Sequence, residues 1–187
     1  MILSVLFSRS PGDSPQARFE ALLDRHHGIV RKVAATYCRH PEDQRDLAQQ
    51  ITEHLWRAFG RYDPDRPFST WAYRVALNVA ISHVRRAALR DRTVESYDAL
   101  DHEPVDAATL SADDDDRVRA LYRVVDRLGA FDRALLLLHL EGYRNAEVAD
   151  VLGLSATNVG TRLSRLRKQI RADLAPGPSL PDRTSLP

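Results

Sequence analysis

The sequence has a single cysteine, Cys38, among its 187 residues, so it can form no disulfide within the chain. An isolated thiol is typical of a protein from a reducing compartment, and we expect Cys38 to be a small packing residue. No apolar run approaches the roughly 20 residues that a membrane-spanning helix needs. The opening stretch MILSVLFSRS is apolar but short, and it has neither the basic leader nor the cleavage site of a signal peptide. We therefore expect a cytoplasmic protein with a flexible N-terminus at 1–16.

Signals for an enzyme or a metal site are also scarce. The histidines that an enzyme would need are scattered, with no HExxH or similar spacing among His26, His27, His54, His83 and His139. The acidic run Asp113–Asp116 lacks the alternating ligands, the glycine and the distal glutamate of a calcium loop. We expect no catalytic residue, no metal and no cofactor.

Strand-like alternation of apolar and polar residues is missing as well, whereas helical periodicity is frequent. Over 42–59, Leu47, Ile51 and Leu55 recur on one stripe at about 100° per residue, and polar side chains occupy the other face. Gly60, Pro64 and Pro67 then interrupt the pattern. Further helices are predicted at 17–38, from near Ser69 towards Arg90, at 117–128 and at 131–141, where Gly142 stops the last one.

Charge is nearly balanced overall, at +1, but it is unevenly distributed. Arginines cluster in 71–92 and 143–171, whereas 93–116 holds nine carboxylates and no Lys or Arg. Two basic segments around an acidic one indicate two nucleic-acid-facing modules and a solvated linker. We predict an all-α protein with two small helical domains, 17–92 and 117–174, joined by a flexible acidic linker at 93–116 and followed by a disordered tail at 175–187.

The stretch NAEVADVLGLSATNVGTRLSRLRKQI, residues 145–170, has the composition of a helix-turn-helix. Asn145 is expected to cap the first helix, Gly153 to end it in the left-handed conformation, and Ser155 to cap the second. The second helix has an apolar face opposite a polar one that can meet base edges and phosphates. A solvated basic helix in an ordinary bundle is the alternative. The predicted DNA-facing residues are Ser155, Thr157, Asn158, Thr161, Arg162, Ser164, Arg165 and Lys168.

Upstream, the segment RPFSTWAYRVALNVAISHVRR at 66–86 places aromatic residues among arginines. Rings stack on unpaired bases and guanidinium groups hold the backbone, so the combination suits single-stranded DNA. Phe68 and Trp71 suit a domain core equally well, and the residues alone leave both readings open.

Taken in order, three segments resemble bacterial RNA polymerase sigma factors of the extracytoplasmic-function class. RDLAQQITEHLWRAFGRYDP is similar to the family's polymerase-binding helix, and FSTWAYRVALNVAISHVRR to its promoter-melting and −10-reading segment. LLLLHLEGYRNAEVADVLGLSATNVGTRLSRLRKQI is similar to its −35-reading domain. The resemblance covers about 17–92 and 117–174. It implies that the helix-turn-helix reads the −35 element as duplex and that the upstream segment captures the −10 element as a melted strand.

The resemblance also implies roles for individual residues. Asp46, Gln49 and Trp56 match the polymerase-binding pattern, Asn78 matches a residue that lines a pocket for a flipped-out −10 base, and Thr161 and Arg165 match DNA-facing positions. The full polymerase-binding set comprises Asp46, Gln49, Gln50, Glu53 and Trp56. The full −10 set comprises Trp71, Tyr73, Arg74, Asn78, Arg85 and Arg86. The sequence departs from the family pattern at Gln50, Thr52, Ser82 and Gly160.

The partners so implied are core RNA polymerase, which supplies the catalytic chemistry, and promoter DNA. Many members of the class are held by an anti-sigma factor, which is a further candidate partner. A helix-turn-helix repressor or activator would explain 117–174 equally well. It would not explain why 42–86 resembles the sigma-factor segments in their order. A helical enzyme is the remaining alternative, and only the scattered histidines favour it.

Overall fold

The computed structural model describes residues 14–94, 124–125 and 127–174, and the regular structure in these ranges is entirely helical. The helices are α1 (Pro15–Tyr37), α2 (Pro41–Ala58), α3 (Phe68–Val94), α4 (Ala130–Leu140), α5 (Asn145–Leu152) and α6 (Ala156–Leu174), with a 3₁₀ turn at Phe59–Arg61. The predicted all-α class is confirmed. No helix in these ranges is long and apolar enough to cross a membrane.

Several predicted segments fall outside the described residues. These are most of the N-terminal stretch 1–16, nearly all of the acidic linker 93–116 and the tail 175–187. The first two residues of the predicted linker are described, and they belong to α3, which continues to Val94. Of the helix predicted at 117–128, the structure describes helical backbone at Val124, Val125 and Arg127.

Local chemistry accounts for the ends of the N-terminal helices. Ser14 Oγ accepts a hydrogen bond from the backbone N–H of Ala17 at 3.0 Å, and Pro15 occupies the first turn of α1, where it loses no hydrogen bond. Helix α2 also begins with a proline, Pro41. It has two carboxylates in its first turn, where the positive end of the helix dipole stabilises negative charge.

Helices α1, α2 and α3 pack against one another as the N-terminal domain. Its centre is aliphatic, with Val33, Leu47, Ile51 and Leu55 fully buried and Leu77 1% exposed. At one end lies an aromatic cluster, whose neighbouring ring centroids are 5.1 to 6.5 Å apart. The members of this cluster are Phe19, Trp56, Phe59, Tyr62, Phe68 and Trp71.

Helices α4, α5 and α6 form the C-terminal domain around a smaller aliphatic core that includes Leu135, Leu138, Val148 and Val159. Gly153 ends α5 in the left-handed conformation, with φ of 68°, and Ser155 Oγ accepts from the backbone N–H of Asn158 at 3.2 Å. Both features of the predicted helix-turn-helix are therefore confirmed.

The predicted cap at the start of α5 is wrong by one residue. Arg144 has the extended backbone of a cap, and Asn145 is the first helical residue. Glu147 explains the difference, because its carboxylate accepts a hydrogen bond from the backbone N–H of Arg144 at 2.7 Å. This hydrogen bond lowers the pKa of Glu147.

The two domains lie against each other. Helices α1 and α3 of the N-terminal domain contact α4, and α3 also contacts α5. The periodicity of the sequence predicts each domain but does not predict this interface.

Candidate nucleic-acid interface

The exposed face of α6 carries the residues predicted to read duplex DNA. Val159, Leu163 and Leu166 are buried against α4 and α5, so the polar side chains between them point away from the domain. All eight predicted residues, Ser155, Thr157, Asn158, Thr161, Arg162, Ser164, Arg165 and Lys168, are exposed. The geometry therefore leaves one continuous polar face with three basic side chains at the surface of the helix-turn-helix.

The basic side chains on this face differ in how they are held. Arg162 Nε donates to Asn158 Oδ1 at 3.2 Å, its guanidinium lies 5.2 Å from the ring centroid of Phe131, and Asp132 lies 3.9 Å away. Arg165 and Lys168 make no hydrogen bond or ion pair with any residue of the described ranges. Since an unpaired cation is free to meet a phosphate or base edge, Arg165 and Lys168 are more available for such contacts than Arg162.

A second basic face runs along α3. Successive residues of an α-helix are about 100° apart, so Trp71, Arg74, Asn78 and Arg85 fall within roughly 60° of one another. We call these four residues the α3 stripe. Asn78 and Arg85 are exposed, whereas Trp71 and Arg74 are partly buried. The stripe combines an aromatic ring, an amide and two guanidinium groups on one side of one helix.

Tyr73 does not belong to this stripe, although it was predicted to bind the −10 strand. It lies two residues after Trp71, about 200° around the helix, and its side chain is 2% exposed. Its hydroxyl donates to Glu141, the residue that follows α4, at 3.1 Å, and its ring meets Tyr143 edge-on. Burial raises the pKa of Tyr73, with Glu141 adding to the shift, so the hydroxyl remains a donor. In this arrangement the ring cannot reach a base.

The two aromatic residues Phe68 and Trp71 differ in exposure. Phe68 is buried, whereas Trp71 is partly exposed and packs on Phe68 and Tyr62 with centroids 5.2 and 5.1 Å away. The cluster therefore holds the Trp71 ring in place while the residue stays partly exposed. Arg86 is exposed beside the stripe, with its Nε donating to the carbonyl of Ser82 at 3.3 Å.

The outer face of α2 carries the predicted polymerase-binding residues. Asp46, Gln49 and Glu53 are exposed, and Gln50 is partly buried. Trp56 is 45% exposed although its ring packs on Phe19 at 5.2 Å. A large, positioned aromatic side chain beside exposed polar groups is typical of an interaction surface.

Four residues that the sequence analysis did not single out connect the domains beside the α3 stripe: Lys32 and Arg66 of the N-terminal domain, and Glu141 and Asp150 of the C-terminal domain. Asp150 Oδ1 accepts from Arg74 Nη2 at 2.7 Å, and Glu141 Oε2 lies 2.6 Å from Lys32 Nζ. Asp150 also lies 3.8 Å from Arg66. No sequence signal marks these residues, because each resembles an ordinary solvated charge.

Within the part of the chain that the structure describes, no group of three or more His, Cys, Asp or Glu side chains is placed to hold a metal ion. Cys38 is buried, as predicted for a packing residue, and burial raises the pKa of its thiol, so the reactive thiolate is disfavoured.

The two domains match two families of known proteins. Residues 22–90 match Sigma-70 region 2, and residues 119–170 match Sigma-70 region 4. The RNA polymerase sigma factor CnrH of Cupriavidus metallidurans is 29% identical over 84% of this chain and 86% of its own length. The ECF RNA polymerase sigma factor SigM of Mycobacterium tuberculosis is 28% identical over 81% of this chain and 74% of its own length.

The chain belongs to the extracytoplasmic-function class of RNA polymerase sigma factors. In this sigma factor, region 2 is the N-terminal domain with the α2 face and the α3 stripe, and region 4 is the C-terminal domain with the helix-turn-helix.

Solved structures agree with this assignment. The structure of CnrH in complex with the cytosolic domain of CnrY matches with a TM-score of 0.56 and 26% identity. The match covers 84% of the present chain and 87% of the CnrH chain. The sigma factor RpoE of Bartonella quintana, solved with the anti-sigma factor NepR, shares the fold with a TM-score of 0.63 at 18% identity, over 84% and 96% of the two chains.

Proposed function

We infer that this protein binds core RNA polymerase and directs transcription initiation at specific promoters. The observation that carries this conclusion is the presence, in one chain, of two matched sigma regions that each present an exposed arginine-bearing face. A repressor needs only one such face, and the α3 stripe of region 2 would then have no use.

Region 4 is proposed to read the −35 element as duplex. The N-terminal part of α6, which includes Thr157, Asn158 and Thr161, would enter the major groove, as the second helix of a helix-turn-helix does. Arg165 and Lys168 lie further along the same exposed face and make no ion pair with the described residues. Their charges suit contacts with base edges or phosphates.

Region 2 is proposed to capture the −10 element as a melted strand. Trp71 offers a ring for stacking, and Arg74 and Arg85 offer charges for the backbone. Asn78, exposed between them, carries both a donor and an acceptor and can therefore match the edge of an extruded base.

The face of α2 is proposed to dock on core polymerase, which supplies the catalytic chemistry. The sigma subunit would contribute recognition and strand capture alone, in the cytoplasm where the polymerase acts. Replacing Asp46 and Gln49 together with alanine should weaken binding to core polymerase and leave the helix content unchanged, because both side chains are exposed. Unchanged affinity for core would show that another surface docks.

Run-off transcription with reconstituted core polymerase and a library of promoters tests the function as a whole. Initiation from a defined subset of promoters, only when this protein is present, is the expected result. A pull-down of core polymerase in the absence of DNA separates a sigma factor from a repressor, since a repressor needs no stable complex with core.

Open-complex yield on matched and mismatched templates tests the role of Asn78. Extruding a base costs a few kcal/mol of stacking, which contacts in the base pocket must offset. Asn78→Ala should therefore lower the yield on duplex promoters more than it lowers core binding. A template already mismatched over the −10 element should recover part of the loss. Equal yields for mutant and wild type on the duplex would remove Asn78 from the site.

An anti-sigma factor is a further proposed partner, since the neighbouring RpoE structure contains the anti-sigma factor NepR. A regulator of this kind should form a stoichiometric complex with the purified protein and suppress run-off transcription in proportion to the complex formed. A candidate that binds without reducing transcription would not be an anti-sigma factor.

A further inference from the structure

The α3 stripe is partly covered by the helix-turn-helix of the same molecule. Arg74 donates to both the side chain and the backbone carbonyl of Asp150 on α5. Beside this contact, Arg74, Asn78 and the stretch 149–154 line one open groove of about 560 Å³. The C-terminal half of α5 and the turn after it therefore face the residues that we assign to strand capture.

The chemistry of the contact resembles that of a DNA backbone. The carboxylate of Asp150 binds Arg74 at 2.7 Å and also lies 3.8 Å from Arg66, so one anion serves two guanidinium groups. A phosphate group presents the same charge and the same kind of acceptor oxygens to arginine. A DNA strand that approaches Arg74 must consequently displace Asp150.

A second set of polar contacts holds the same two domains together. Glu141 accepts hydrogen bonds from Lys32 at 2.6 Å and Tyr73 at 3.1 Å. The hydroxyl of Tyr37 donates to the carbonyl of Ala130 at 2.6 Å. The ion pairs of this interface are partly exposed and exchange readily with water and ions, whereas the buried ring of Tyr73 packs on Tyr143 across it. Separation of the domains must therefore break both kinds of contact.

We propose that Asp150 is an autoinhibitory residue, which holds region 4 over the α3 stripe by occupying the place of a DNA phosphate on Arg74. The closed arrangement lowers the affinity of the free sigma factor for single-stranded DNA. Separation of the two domains, as binding of both promoter elements requires, releases Arg74 for the strand. The inhibitory role rests on the proposed strand-capture function of the α3 stripe.

The size of the effect follows from the exposure of the ion pair. The side chains of Arg74 and Asp150 are 40% and 47% exposed, so solvent screens their attraction. Loss of a pair of this kind shifts an equilibrium by about two- to fivefold. Apparent affinity scales with the fraction of molecules in the binding-competent form, so the same factor should appear in DNA binding.

The experiment compares Asp150→Ala with Asp173→Ala in the full chain. Asp173 lies on the exposed end of α6 and makes no ion pair with the described residues, so its removal changes the net charge equally without touching the interface. Spin labels at the exposed positions Ala21 and Gln169, in a Cys38→Ala background, report the distance between the domains. Fluorescence anisotropy with an oligothymidylate of about 20 nucleotides reports single-strand binding, which tolerates any base.

The expected result is a longer and broader distance distribution for Asp150→Ala, with oligothymidylate affinity two- to fivefold above that of Asp173→Ala. Arg74→Ala should also lengthen the distance, and its combination with Asp150→Ala should give less than the sum of the two effects, because both substitutions remove the same side-chain ion pair. Identical distance distributions for Asp150→Ala and Asp173→Ala would overturn the proposal. Opening of the domains without a gain in affinity would overturn it too.

The proposed strand-capture role of the α3 stripe can be tested separately from domain closure by Asp150. If Arg74→Ala, introduced into the already open Asp150→Ala protein, leaves oligothymidylate affinity unchanged, then Arg74 does not hold the strand. That result would contradict the proposed role of the α3 stripe, whereas the distance measurement would still decide whether Asp150 closes the two domains.

Discussion

Both regions of this sigma factor are helical in the residues that the structure describes, but they present their predicted binding residues in different ways. In region 4, every predicted DNA-facing residue is exposed on α6 or at its N-cap, because polar and apolar side chains occupy opposite faces of that helix. In region 2, the predicted −10 residues divide, with Asn78 exposed, Trp71 partly buried and Tyr73 buried. Periodicity therefore locates an exposed polar face well. It does not decide whether an aromatic side chain lies in a core or at the surface, because the same side chain suits both.

The same contrast extends to the cores. Region 2 places an aromatic cluster at one end of its aliphatic centre, so Trp56 and Trp71 belong both to the packing and to the surface. Region 4 is centred on aliphatic side chains such as Leu135 and Leu138, which have no surface role. Substitutions in region 4 should consequently separate stability from binding more cleanly than substitutions in region 2.

The largest expected effect tests that separation within α4. Leu138 is fully buried and Leu140 is 73% exposed on the same helix. Leu138→Ala should lower the free energy of unfolding by about 2–5 kcal/mol because it leaves a cavity. Leu140→Ala should change it by less than about 0.5 kcal/mol. Urea unfolding followed by circular dichroism measures both. Similar losses for the two variants would mean that Leu140 is covered in solution.

A somewhat smaller effect is expected on the binding face of region 4. Arg165→Ala should weaken binding to a −35 duplex by roughly 1–3 kcal/mol if Arg165 makes a bidentate base contact. Arg167→Ala is the matched control, since Arg167 donates to His139 at 2.8 Å and thus lies on the side towards α4.

Electrophoretic mobility shifts with promoter variants measure this difference. A loss for Arg165→Ala that is uniform across the variants would indicate a phosphate contact instead of a base contact. Equal losses for Arg165→Ala and Arg167→Ala would contradict the assignment of the DNA-facing side of α6.

The interface between the regions should weaken at alkaline pH. Burial raises the pKa of Tyr73 above that of a tyrosine in the unfolded chain, so its stabilising effect is complete below pH of about 10 and is lost as pH rises beyond that. The loss should be at most about 1.4 kcal/mol per pH unit for one tyrosine. Tyr73→Phe should flatten this dependence in unfolding experiments between neutral and alkaline pH. An unchanged slope would show that the hydroxyl is not buried in solution.

The smallest expected effect concerns Gly160 of α6, where the family pattern often has a basic residue. A Cβ at this position would lie 3.5 Å from Asn145 Nδ2, which is an ordinary contact. Gly160→Ala should therefore raise the free energy of unfolding by up to about 1 kcal/mol through helix propensity alone. Thermal unfolding measures the gain, and destabilisation would reveal a closer approach of α5 and α6 than the structure shows.

Particular residues show how far prediction from the sequence extends. The left-handed Gly153 and the capping Ser155 were predictable because each meets a local requirement of the backbone. Arg144 was missed as the cap of α5 because the decisive hydrogen bond comes from the side chain of Glu147, three residues further on. The separation of Tyr73 from the α3 stripe follows from helical geometry alone, since about 200° separates it from Trp71.

The sequence by itself determined the helical class, the positions of the helices, the helix-turn-helix and the polar faces of α2 and α6. These features follow from periodicity and capping, which act between residues close together in the chain. Only the tertiary structure decided that Arg74 meets Asp150, that Tyr73 and Lys32 meet Glu141, and that Trp71 packs on Tyr62 while staying partly exposed. The interdomain contacts join residues that are far apart in the chain. No sequence pattern distinguishes an aspartate that binds an arginine of the other domain from an aspartate that binds only water.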